Sequence, residues 1–226
     1  MPTARDRARV ETTAAIVTAA RAQLVEVGAA ALSLRAVARE VGMVSSAVYR
    51  YFPSRDDLLT TLILEAYDAV GEAAERARHP QDPPREQWRA VWRAVRTWAL
   101  GHPAEYALVY GSPVPGYAAP SETITAAARV GLVLIGIVVD HGAGVGDRTP
   151  APGLVDPAAL AVLPGLEPAL APALVAAWTQ LFGTVGFELF GQYEGVLADR
   201  AAFLDHVADT AATSVGLSGA APGGGR

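Results

Sequence analysis

Residues 33–59 read Ser-Leu-Arg-Ala-Val-Ala-Arg-Glu-Val-Gly-Met-Val-Ser-Ser-Ala-Val-Tyr-Arg-Tyr-Phe-Pro-Ser-Arg-Asp-Asp-Leu-Leu. Gly42-Met43-Val44 interrupts this stretch once. Pro53 interrupts it again, because a proline pushes the residue before it out of the helical region. Leu34, Val37, Ala38 and Val41 fall on one face of a short helix that opens at Ser33, a preferred N-cap residue. Ser45 is expected to cap the next helix, with Val44, Ala47, Val48 and Phe52 turned inward. Ser45, Ser46, Tyr49 and Arg50 then make the outward face. Two short helices joined by a glycine-containing turn have the dimensions of a helix-turn-helix. A short polar face carrying an aromatic and an arginine suits entry into a DNA major groove.

Working outward, Val10, Val17, Ala20, Leu24 and Val27 repeat at helical spacing and predict a first helix over 8–27. Gly28 stands where a glycine ends a helix. Ser54 is expected to cap a fourth helix, with Asp56 and Asp57 in its first turn and Leu59, Leu62, Ile63, Ala66 and Val70 on its inner side. Residues 79–84 read as a turn. Arg85 to Leu100 predicts a helix with Trp88, Trp92 and Val95 on one side, and Pro103 can open a short one through Tyr110. Residues 111–120 cannot be helical. Ser121 is expected to open an apolar helix ending near Asp140. Residues 142–166 predict a mobile excursion with a short helical turn, and two further helices are expected over 168–191 and 198–216. The tail 218–226 is glycine-rich and is expected to be disordered. No stretch alternates as a strand would. The expected fold is all-α, with about nine helices. It comprises a DNA-binding domain over 1–55, a helical ligand-binding and dimerisation domain over 56–217, and the tail.

Composition narrows the function. About half of the 226 residues are hydrophobic, enough for a substantial core. There is no cysteine, which excludes disulfides and thiol nucleophiles. His79, His102, His141 and His206 are too scattered for a helical zinc pair, so no metal is expected. No G-x-S-x-G, phosphate loop or paired carboxylate site stands in the chain, so neither catalysis nor a cofactor is expected. All 18 basic residues are arginine, and the net charge is −5. The charge is uneven: residues 1–60 balance at +2 and residues 61–226 at −7. A mildly basic head on an acidic body fits a DNA-reading module joined to another domain.

The N-terminus runs into charged residues without an apolar stretch, which predicts a cytoplasmic protein. Residues 168–187 carry no charge over about the length of a membrane span. Pro172, Gln180, Gly183 and Gly186, with Glu188 directly after, favour a buried or subunit-interface helix instead. The run Val130–Val139 is too short to span. The alternative reading is a membrane-associated or small-molecule-binding helical protein with no DNA-reading role.

Residues 33–59 resemble the signature of the TetR family, most specifically in Tyr49-Arg50-Tyr51-Phe52 followed by Ser54-Arg55. The resemblance covers residues 10–63 closely, including Ile16, Ala19, Ala20 and Gly28. Trp88, Trp98, His102-Pro103, Tyr106 and the 111–116 loop resemble an actinobacterial subgroup more loosely. The resemblance implies a homodimeric regulator that binds an operator in double-stranded DNA and senses a small-molecule effector. It implies base contacts from Ser45, Ser46 and Arg50, and a base or phosphate contact from Arg35. It implies phosphate contacts from Tyr49, Tyr51 and Arg55, the last aided by a helix N-terminus. Ser33 contacts a phosphate or only caps its helix. Ser45 and Ser54 can also be pure caps, and Tyr51 beside Phe52 can be core. Arg5, Arg7 and Arg9 are expected to form a disordered arm or to reach a minor groove.

Candidate ligand-pocket residues are Trp88, Trp92, Trp98, Tyr106, Tyr110 and Tyr117, each more often simple core in such a domain, with His102 offering a hydrogen bond. The two last helices are apolar over much of their circumference, as a four-helix subunit interface requires. Trp178, Leu181, Phe182, Val185, Leu189 and Phe203 are the candidates there, and Gly183 and Gly186 would allow close approach. They can equally complete the core of one chain.

Overall fold

The structure is a computed structural model describing residues 3–142, 153–161 and 165–217. Those residues form ten α-helices and two 3-10 turns, with no strand among them. The helices are α1 (Ala4–Val27), α2 (Leu34–Glu40), α3 (Ser45–Val48), α4 (Arg55–Ala77), α5 (Pro84–Gly101), α6 (Pro103–Tyr110), α7 (Thr123–Asp140), α8 (Pro157–Ala161), α9 (Ala171–Leu189) and α10 (Arg200–Ser214). The short α8 is the helical turn expected within the Gly/Pro-rich stretch, which otherwise lies partly outside the described residues, as does the tail. The chain divides into two compact units, Met1–Ala69 with His102–Ala127, and Val70–Gly101 with Ala128–Arg226. Both α4 and α7 contribute residues to each.

In the first unit, α1 begins four residues earlier than the apolar pattern predicts. Thr3 accepts from the Asp6 amide, and the Asp6 carboxylate accepts from the Thr3 amide, a reciprocal cap that starts the helix. Arg5, Arg7 and Arg9 therefore lie on a helix and not in a disordered arm. Val10 and Val27, expected inside, are exposed, and the buried face is Ile16, Val17, Ala19, Ala20, Gln23 and Leu24. Gln23 is the polar member, and its side-chain oxygen accepts from the Ser33 amide at 3.2 Å. Gly28 ends α1 at φ 73°, a backbone region that favours glycine. Leu34, Val37, Ala38, Val48, Phe52, Leu58, Leu59 and Leu62 complete a core that Leu108 of α6 joins. Tyr117 packs on that core, and its hydroxyl lies 2.9 Å from Thr60 Oγ1.

In the second unit, α5 buries Trp88, Val91, Trp92 and Val95 completely. The Trp88 indole donates to the Ala208 carbonyl at 3.1 Å. The opposite edge of α5 is a row of paired guanidinium–carboxylate contacts. Arg89 grips Asp209, Arg93 grips Asp205 and Arg96 grips Glu188, with distances of 2.6–2.8 Å. The 79–84 turn is fastened by buried Gln87, whose amide donates to the Asp82 carbonyl at 2.8 Å.

Among the described residues, Thr123–Asp140 and Pro168–Leu189 are long and apolar enough to cross a membrane by length and composition. The first is longer than the Val130–Val139 run, because Thr123 starts its helix. The chain buries 33% of the first window and 44% of the second, less than half of either.

Candidate nucleic-acid interface

The turn before α3 is made by Gly42 at φ 69° and closed by the Met43 amide donating to the Ala38 carbonyl at 2.8 Å. Met43 packs on the core, and the chain leaves it extended at Val44, which occupies the N-cap of α3. Ser45, expected in that role, is one residue inside the helix, and no side chain caps it. The shift of one position turns Val44 outward, where it is 71% exposed, against the inward placement expected from its apolar character. Ala47, Val48 and Phe52 hold the helix to the core. Ser46, Tyr49 and Arg50 face solvent with Val44, and Ser45 is half-buried. On α2, Arg35 and Arg39 are exposed. Ser33 sits at the N-cap of α2 without a capping bond from its side chain.

Tyr51 and Arg55 have partners of their own. Tyr51 packs against the core, and the Arg9 guanidinium lies 5.3 Å from its ring centre, a cation–π distance. Arg55 donates through Nε to the Leu32 carbonyl at 3.1 Å and through Nη2 to Ala29 at 2.8 Å and Ala30 at 3.1 Å. The guanidinium expected on a phosphate thus satisfies the carbonyls of the turn between α1 and α2. Ser54 does cap α4, accepting from the Asp57 amide at 3.1 Å.

Residues 16–62 match the bacterial regulatory proteins of the tetR family, and residues 88–211 match the tetracyclin repressor-like C-terminal domain. The HTH-type transcriptional regulator Rv1816 of Mycobacterium tuberculosis is 41% identical over 202 residues, spanning 84% of this chain and 85% of its own. Its counterpart Mb1846 of Mycobacterium bovis matches equally. The chain belongs to the TetR family. Among solved structures, SCO4313, a protein assigned a regulatory role, superposes with a TM-score of 0.75 at 31% identity, over 92% of this chain and 98% of its own. The TetR-family regulator PfmR of Thermus thermophilus shares the fold with a TM-score of 0.56 at 19% identity, over 87% of this chain and 96% of its own. This TetR-family chain is accordingly an HTH-type DNA-binding transcriptional regulator.

The seven aromatic and histidine positions expected around a ligand do not come together in one unit of the TetR-family chain. Trp88, Trp92 and Trp98 belong to the second unit and are buried. His102, Tyr106, Tyr110 and Tyr117 belong to the first. Burial pushes the Tyr110 hydroxyl far above its ordinary range, so it stays protonated. A cavity of about 320 Å³ does open in the second unit, between α7, α9 and Val155, Leu160 and Leu166, and none of the seven lines it. The six interface candidates also divide. Leu181 and Val185 are 0% exposed and Phe182 is buried, so the chain itself covers them. Leu189 and Phe203 are half-buried. Trp178 is exposed, but it lines the cavity. Thr179, Gly183 and Phe187 on α9 and Ala202, His206 and Thr210 on α10 are exposed.

Sequence reasoning missed Val44, the carbonyl contacts of Arg55 and the cavity. Val44 had one available signal: it precedes a Ser-Ser pair, so the cap can fall one residue earlier. The other two depend on segments far apart along the chain.

Proposed function

We propose that this regulator is a repressor that a small-molecule effector releases from its operator. The observation carrying the proposal is the exposed strip of Val44, Ser46, Tyr49 and Arg50 on a helix whose other side is buried. Val44 offers a methyl surface to thymine. Ser46 and Arg50 offer donors to base edges, and Tyr49 and Arg35 reach a base or a backbone phosphate. Ser45, half-buried, reaches the groove floor through its hydroxyl. Ser33, Tyr51 and Arg55 act mainly by holding the helices in place.

Two copies pair through these exposed residues of α9 and α10 about a twofold axis. Their reading helices then meet successive major grooves about 34–36 Å apart. The effector binds the C-terminal part, and α4, which contributes to both units, carries the change to the reading head. The effector must bind the released state more tightly than the bound one, or nothing shifts. The chain performs no chemistry of its own in this reading and works in the cytoplasm, where the chromosome lies.

Selection of bound duplexes from a random pool with the full-length chain tests the proposal. A twofold-symmetric consensus with half-sites one turn apart or slightly more is expected. An asymmetric consensus, or none, overturns it.

A further inference from the structure

Gly131 stands in the middle of α7, where nothing about the backbone or the packing calls for glycine. Its φ is not positive, and a Cβ there would meet only Trp178 Cδ1 at 3.9 Å, an ordinary contact. Two other glycines of the same unit differ. A Cβ at Gly71 would fall 2.7 Å from the Arg129 Cβ, and one at Gly136 would fall 2.6 Å from Arg78 Nη1. Close packing accounts for Gly71, while at Gly136 the end of a flexible arginine would have to move aside. Glycine inside a helix is destabilising relative to alanine, so at position 131 its presence asks for another reason.

That reason is the space it leaves. Gly131 borders the cavity of about 320 Å³, a size suited to a small molecule. Leu134 and Leu174 form its buried floor. Val155 and Leu166 wall it on a third side, and Trp178 stands half-exposed beside it. Among the described residues, none with a charged side chain lines it, and the only polar side-chain group lining it is the Trp178 indole N–H. An ion placed there would lose its water without gaining a partner. The hollow owes its depth to missing side chains on α7, which favours a compact guest over the convex surface of another helix.

We propose that this hollow binds a small, uncharged, largely apolar molecule with at most one hydrogen-bond acceptor, which takes the indole N–H. It is the site at which the effector of the preceding section is held. Binding itself is independent of that reading; only its consequence for DNA rests on it.

The test uses the full chain and the uncharged dye N-phenylnaphthylamine, which brightens on leaving water. Its sulfonated analogue, anilinonaphthalene sulfonate, serves as the charged comparison. Saturable binding of one uncharged dye per chain is expected, with the sulfonate at least tenfold weaker. Gly131→Ala should weaken the dye several-fold and Gly131→Leu at least tenfold. Gly131→Ala should melt at or above the wild-type temperature, so lost binding cannot be misfolding. Absence of saturable binding, or equal binding by wild type and Gly131→Leu, overturns the proposal. So does a Gly131→Leu chain that becomes monomeric by light scattering when the dye never bound the wild type, because the hollow is then a contact between copies. Operator affinity is measured with and without dye in the same samples. Dye binding that follows the expected pattern while operator affinity stays constant upholds the cavity and removes the induction reading.

Discussion

Arg55 donates from Nη2 to the carbonyl oxygen of Ala29 at 2.8 Å. With its bonds to Ala30 and Leu32, this places a cation on the open carbonyl end of the turn that follows α1. Hydrogen bonds from a charged donor each contribute about 1.5–3 kcal/mol, and their loss orphans the acceptors. Arg55→Ala should therefore lower stability by about 2 kcal/mol, read as a shifted denaturant midpoint. At a temperature where both chains are folded, the salt slope of DNA binding should stay as in wild type. A slope shallower by about one unit would return Arg55 to the phosphates.

Arg50→Ala should leave stability within about 0.5 kcal/mol of wild type, because the side chain is exposed and unburdened by packing. It should relax preference at one base pair by about 1–3 kcal/mol. Val44→Ser should weaken binding to the selected duplex, and replacing one thymine by uracil, which lacks the methyl, should weaken wild type to the same degree. In the Val44→Ser chain that replacement should have no effect. Unaltered selection profiles for both variants would remove the reading strip.

Asp205 and Asp209 are held below the ordinary aspartate value of about 3.9, chiefly by hydrogen bonds from Arg93 and Arg89. A carboxylate depressed in the folded state stabilises it above the unfolded value and loses that contribution as pH falls through the folded one. The side chains are 33% exposed, so each pair contributes at most about 1 kcal/mol. An Asp205→Asn, Asp209→Asn double variant should melt below wild type at neutral pH. The gap should close as pH drops through the range beneath 4. A gap independent of pH would assign these residues to packing alone.

Phe187 is 54% exposed on α9, and Leu181, on the same helix, is 0% exposed. Phe187→Asp should yield folded monomers by light scattering with a retained helical spectrum. Leu181→Asp should instead unfold the second unit, since an unpaired carboxylate would have to enter the core. Dimers from Phe187→Asp would place the subunit contact elsewhere.

Much of the architecture was legible in residue order because it depends on local rules. Gly28 and Gly42 follow helix ends at positive φ, and Ser54 with Asp57 caps a helix through neighbours three apart. Leu34, Val37 and Ala38 declare their buried face by spacing. Those signals produced the helix-turn-helix and, with Tyr49-Arg50-Tyr51-Phe52, the family. What order along the chain could not decide was which apolar or charged side chain meets a distant segment. Val44 and Val48 are the same residue type, yet a single-residue difference in where α3 begins exposes one and buries the other. Arg55 answers to carbonyls more than twenty positions earlier, and Leu181 vanishes into a core that α5 and α10 complete. Burial and partnership are sums over contacts from the whole fold. Periodicity gives the faces of a helix, and only packing chooses what covers them.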